Sequence, residues 1–140
     1  MITQITSKIY IGNSFDAATV TPEIVEASLN VAIDLDVVNP NKIKLYKVGM
    51  VDGPGNDPGV FIAAILCLDG MARKYNKILV HCHEGKSRSV IVASTYLSIS
   101  TGIDFDEVLN DVMKKRGVDV YRPALYELAK AAIPVIKKVI

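Results

Sequence analysis

The run His81-Cys82-His83-Glu84-Gly85-Lys86-Ser87-Arg88-Ser89 holds residue types that can do nucleophilic chemistry on an anion. It lies between Lys77–Cys82, an apolar stretch read as a strand, and a helical pattern that opens at Arg88. A turn in that setting points successive backbone N–H groups inward at the positive end of a helix dipole, which makes an anion cradle. A cysteine at its mouth has its thiolate stabilised by those N–H groups, the dipole and Arg88, so Cys82 is expected to be a nucleophile at neutral pH. Arg88 offers a planar fork for two phosphate oxygens, which a lysine cannot. Gly85 allows the tight bend that brings backbone close to a ligand.

Other readings of the same residues are weaker. An isolated cysteine is by default a buried, inert thiol, but Gly85 and Arg88 stand at the spacing an anion loop needs. Cys67, amid Ala, Ile and Leu at helical spacing, reads as core rather than as a redox partner for Cys82. His81-Cys82-His83 lacks a companion Cys/His cluster to complete a zinc site, and neighbouring strand residues face opposite ways. Gly85-Lys86-Ser87 resembles the tail of a nucleotide-binding loop, but Val80 stands where that motif needs glycine. Lys114-Lys115-Arg116 reads as a helix C-terminus and a solvated face.

The elements around the loop follow from periodicity and turn residues. Ile5–Ile11 reads as a strand ended by Gly12-Asn13, and Thr21-Pro22-Glu23 as the start of a short helix. Leu29–Leu35 suits a buried strand, and Ile43–Val48 a strand with one wet face. A Gly/Pro loop, 51–59, leads to a helix capped by Asp57-Pro58 and carried by Phe61–Tyr75. Arg88–Ser100, closed by Gly102, Ile103–Lys115 and Pro123–Ile140 complete the helices, with Pro134 expected to kink or interrupt the last. Strands alternating with helices imply an α/β fold, a mainly parallel central sheet of about four to five strands flanked by helices.

Composition bounds the rest. A chain of 140 residues, half of them hydrophobic and 22% charged, suits one folded domain over 1–140 and excludes intrinsic disorder. A formal charge of +1 argues against a nucleic-acid or anionic-membrane coat, so any anion must be held by a local site. Two cysteines build no disulfide framework, and no leader or spanning segment is read. The expectation is a cytoplasmic protein without membrane insertion, and nothing demands more than a monomer.

The signature H-C-x-x-G-x-x-R-S, His81 to Ser89, resembles the loop of the cysteine-based protein tyrosine phosphatase superfamily, and the short chain resembles its dual-specificity branch. Tyr10-Ile11-Gly12-Asn13 with Asp16-Ala17-Ala18, and Leu29-Asn30-Val31-Ala32, are similar to that branch's first two strands. The similarity weakens toward the C-terminus, where Arg122-Pro123-Ala124 departs from the family's Pro-Asn pair.

The resemblance implies a dual-specificity phosphatase-like domain that hydrolyses phosphorylated proteins or peptides through a phosphocysteine, with no cofactor or metal. Cys82 would be the nucleophile. Asp52, thirty positions earlier in a Gly/Pro loop, would be the general acid, with Asp57 its rival. Ser89 would help the cysteine leave, and His81 would position the loop from beneath. His83, Glu84, Gly85, Lys86, Ser87 and Arg88 would bind the phosphoryl group. His83 and Lys86 bear some similarity to the basic loop of phosphoinositide-directed relatives, while Glu84 replaces a residue that is usually small. A lipid or other non-protein phosphate ester, an RNA 5′-triphosphatase activity and an inactive phosphate-binding module are the alternatives.

Overall fold

The computed structural model describes residues 1–119 and 122–140. Its strands are β1 (Thr3–Gln4), β2 (Ile9–Gly12), β3 (Ala27–Ala32), β4 (Lys44–Met50) and β5 (Ile78–His81). Its helices are α1 (Ser14–Thr19), α2 (Pro58–Lys74), α3 (Arg88–Thr101), α4 (Phe105–Arg116) and α5 (Pro123–Lys137). The sheet order is β1-β2-β5-β3-β4, parallel throughout except for the β1·β2 pair. This is the α/β architecture expected from the alternation of strands and helices.

Central strands buried on both faces need apolar runs, and β2, β3 and β5 are buried at every position. Ile9, Ile11, Leu29, Val31, Ile78 and Val80 share one core cluster with residues of α2, α3, α4 and α5. Tyr10 and Leu79, one step out of phase, pack with Ala17, Val20 and Val25 around α1 instead. The sheet is thus covered on both sides. β4 is the half-exposed edge strand, in line with the wet face read from its lysines.

Three local expectations need correction. Ile5–Ile11 is not one strand: Thr6 Oγ1 accepts from the backbone N–H groups of Lys8 and Ile9, turning the chain between β1 and β2. The short helix begins earlier than Thr21, at Ser14, where Asn13 and Asp16 form a reciprocal capping box. Thr21-Pro22-Glu23 makes only the single turn closed by Ile24 and Val25 N–H onto the Thr21 carbonyl. Pro134 does not interrupt the last helix: it lies inside α5, which continues to Lys137. The caps read for α2 (Asp57) and α3 (Gly102, φ 79°) are present as expected.

Candidate active site

In parallel α/β sheets the ends of the strands' carboxyl sides gather functional groups. Here β5 delivers Cys82, β4 delivers Asp52, β3 delivers Asp34, and β2 leads into α1, whose Ser14 N–H donates to the His83 carbonyl at 2.9 Å. Asp34, Asp52, Cys82, His83, Glu84, Lys86, Ser87 and Arg88 enclose one cavity of about 220 Å³. That is below the roughly 300–1,000 Å³ of pockets for drug-sized ligands, and suits a phosphoryl group with the start of its carrier.

Cys82 is buried, and its Sγ lies 3.3 Å from the Ser89 Oγ on the first turn of α3. Arg88 is 4% exposed. Its Nη1 donates to the Met50 carbonyl at 2.8 Å and to Asp34 Oδ1. Its Nε is buried with no hydrogen-bond partner among the described residues. An unpaired buried donor on a cation is costly, and an anion in the cavity would relieve it.

Asp52 is held from two sides. Its Oδ1 accepts from Ser87 Oγ at 2.9 Å, and its Oδ2 faces Arg122 Nη2 at 3.4 Å. Ser87, the N-cap residue of α3, makes no side-chain cap and spends its hydroxyl on this contact. Asp57, the rival acid, instead caps α2 through the Gly59 N–H at 2.8 Å, and it does not line the cavity.

The loop rests on buried supports. Gly85 has φ +71°, and a Cβ there would stand 2.5 Å from the Gly12 carbonyl oxygen, so this position requires glycine. Alone among residues 82–88, it does not line the cavity. His81, the last residue of β5, is buried and does not line the cavity; its Nδ1 lies 3.4 Å from the Cys82 carbonyl, and burial pushes its pKa down to about 4. A neutral ring is what that setting accepts.

Two supports were not legible as site residues. Arg116 belongs to a run whose sequence pattern is that of a solvated helix end. Its Nε instead donates to the Gly85 carbonyl at 2.9 Å, and Nη2 reaches the Glu84 carbonyl at 3.5 Å. Asp34 was read as part of a strand. That strand ends at Ala32, because Asn30 Oδ1 accepts from the Ala32 N–H at 2.9 Å and Asn30 Nδ2 donates to the Leu35 carbonyl at 2.7 Å. Arg88 holds the Asp34 carboxyl below the usual carboxylate range by hydrogen bonding. The one sequence signal for Asp34 is a carboxylate near the carboxyl end of a run that reads as a buried strand.

No family model and no curated protein matches the chain. Solved structures do match it. Human DUSP28 superposes with a TM-score of 0.83 at 18% identity, covering 97% of this chain and 95% of that one. A mouse putative dual specificity phosphatase complexed with zinc tungstate gives 0.81 at 19% identity, covering 99% and 89%. The human tyrosine phosphatase-like serine/threonine/tyrosine-interacting protein gives 0.77 at 16% identity, covering 96% of each chain. The fold is therefore that of the dual specificity phosphatases. The likeness of fold extends through the C-terminal helices, where the likeness of sequence fades. No helix among the described residues is long and apolar enough to cross a membrane.

Proposed function

We propose that the chain is a cysteine-dependent, metal-independent protein phosphatase acting on phosphotyrosine and also on phosphoserine and phosphothreonine. One grouping carries this reading: Cys82 Sγ, 3.3 Å from Ser89 Oγ, opens onto a cavity that also holds Asp52 and Arg88 with its unpaired Nε. Nucleophile, acid and anion receptor share one small space.

Cys82 thiolate attacks phosphorus in line. The P–S bond forms as the P–O bond to the carrier breaks, and Asp52 gives its proton to the departing oxygen. Asp52, now a carboxylate, takes a proton from water, whose oxygen attacks phosphorus. The P–S bond breaks and inorganic phosphate leaves. Ser89 donates to the sulfur as it regains charge. Arg88 and the backbone N–H groups of residues 83–88 hold the phosphoryl oxygens through both steps. Ser87 keeps Asp52 at the cavity wall, and His81 and Gly85 set the loop from below.

The small cavity supports reach to a short alkyl phosphate as well as to an aryl one, since positioning decides the rate. Phosphotyrosine should be fastest, because a phenolate leaves more easily than an alkoxide. The test is hydrolysis of p-nitrophenyl phosphate and of matched peptides carrying the three phosphoresidues. Wild type should turn over all four, and Cys82→Ser should turn over none while still binding inorganic phosphate. Near-wild-type turnover by Cys82→Ser would overturn the mechanism, and inactivity toward the serine and threonine peptides would restrict the specificity to tyrosine.

A further inference from the structure

The cavity wall carries more negative charge than an anion receptor needs. Three acidic residues, Asp34, Asp52 and Glu84, line it alongside the basic Lys86 and Arg88 and His83. Asp52 is matched by Arg122 and Ser87. Asp34 stands apart from the chemistry just described, yet it is the carboxylate bonded to Arg88.

Its placement is built. Ile33 N–H donates to the Met50 carbonyl at 3.0 Å, and Asn30 Nδ2 donates to the Leu35 carbonyl at 2.7 Å. Lys47 Nζ bonds the Leu35 carbonyl and Asp36 Oδ1, each at 2.8 Å. The segment 33–36 is thereby pinned on both sides of Asp34, whose side chain remains 55% exposed at the mouth.

We propose that Asp34 is a specificity-determining residue that makes the site select phosphomonoesters on neutral or cationic carriers over carriers bearing a second anion next to the ester. This rests on the phosphatase reading above. Two physical effects combine. Asp34 and the Met50 carbonyl both draw on Nη1, so one side of the guanidinium is occupied and Nε is left for the phosphoryl group. A fixed carboxylate at the mouth also repels a neighbouring phosphate or carboxylate and attracts a neighbouring ammonium or guanidinium. Glu84, exposed on the same rim, adds to this field, while Lys86 opposes it. A phosphopeptide with basic flanks fits this charge pattern, and an inositol ring with several phosphates does not.

The test uses three phosphotyrosine peptides that differ only in Lys, Ala or Glu beside the phosphoresidue. Wild type should favour the Lys peptide over the Glu peptide by about fivefold in kcat/KM at low salt, fading as salt is raised. Asp34→Asn keeps an oxygen for Arg88 but removes the charge, so the ratio should fall to about one, chiefly through faster turnover of the Glu peptide. Asp34→Ala loses both effects, so it should also weaken inhibition by inorganic phosphate, which a charge effect alone would strengthen. The same preference should appear in the dissociation constants of the peptides for Cys82→Ser protein. A chain without hydrolytic activity would therefore overturn the phosphatase reading while the charge preference is still read by binding. An unchanged Lys-to-Glu ratio in Asp34→Asn, or no preference in wild type, would overturn the role of Asp34. Faster turnover of a phosphoinositide than of any peptide would overturn it too.

Discussion

Arg116 Nε donates to the carbonyl oxygen of Gly85 at 2.9 Å, which ties the last turn of α4 to the underside of the nucleophile loop. The same guanidinium reaches Thr3 Oγ1 at 2.9 Å and the Ile11 carbonyl at 3.3 Å. It therefore braces the loop against the first two strands from a setting where burial lowers its own pKa. A charged donor with several partners in a half-buried place is costly to remove, because those carbonyls lose their partner together.

Arg116→Ala should accordingly lower stability by about 2–3 kcal/mol in urea unfolding and reduce kcat on p-nitrophenyl phosphate. Arg116→Lys should recover little, since one ammonium cannot span the same set of acceptors. Wild-type stability and kcat in the alanine variant would remove the brace from the account.

Asp52→Asn should slow a phosphoserine peptide about a hundredfold more than p-nitrophenyl phosphate, whose leaving group barely needs a proton. Arg122→Gln should shift the two substrates in the same sense by only a few-fold, because Ser87 still holds the other carboxylate oxygen. In the Asp52→Asn background the Arg122 change should have no effect on that ratio. An effect of equal size there would mean that Arg122 acts elsewhere.

Ser89→Ala should leave the first step nearly intact and slow breakdown of the phosphocysteine by about tenfold to a hundredfold, because the donor to the departing sulfur is gone. Rapid mixing with p-nitrophenyl phosphate should then show a burst of p-nitrophenol equal to the enzyme present. A slower reaction with no burst would assign Ser89 to the first step.

His81 makes stability depend on pH. Its folded pKa of about 4 lies below the ordinary 6.5, so the unfolded chain takes up a proton that the folded one refuses. Stability should fall as pH drops through 6.5, and the loss should be complete below about 4, reaching about 3 kcal/mol. Urea midpoints at pH 7, 5.5 and 4 read this slope, and His81→Gln should flatten it between pH 6.5 and 4. Asp34 and Asp106, whose pKa values are lowered by Arg88 and by the Tyr126 hydroxyl respectively, add their own losses only at the acid end. A slope unchanged in His81→Gln would place it on other groups.

Much of this was legible in the residues themselves. The α/β order and the long helices with their Asp57 and Gly102 caps follow from local pattern, the pairing of Cys82 with Arg88 from the spacing in the loop, and the expectation for Ser89 and Asp52 from the family resemblance of that loop. What sequence did not disclose are relations between distant segments. Arg116 looks solvated because it closes a basic helix end, and only the packing of α4 against the β1–β2 edge turns it inward. Asp34 looks like strand because five of the seven residues of Leu29–Leu35 are apolar, and the hydrogen bonds of the Asn30 amide end β3 sooner. The early hairpin was hidden in the same way, since one threonine hydroxyl breaks an otherwise strand-like run.

The central place of β5 in the sheet also sets when function can arise during folding. Ile78 pairs with Ile9 on one side and with Ala27 on the other, so the strand that presents Cys82 has only sequence-distant partners. The entropy of closing both loops must be met before the loop has its foundation, whereas α2 to α5 can form from local contacts. On dilution from urea, helical circular dichroism should therefore return ahead of hydrolysis, with the interval measuring how long the two parallel ladders take to close on β5.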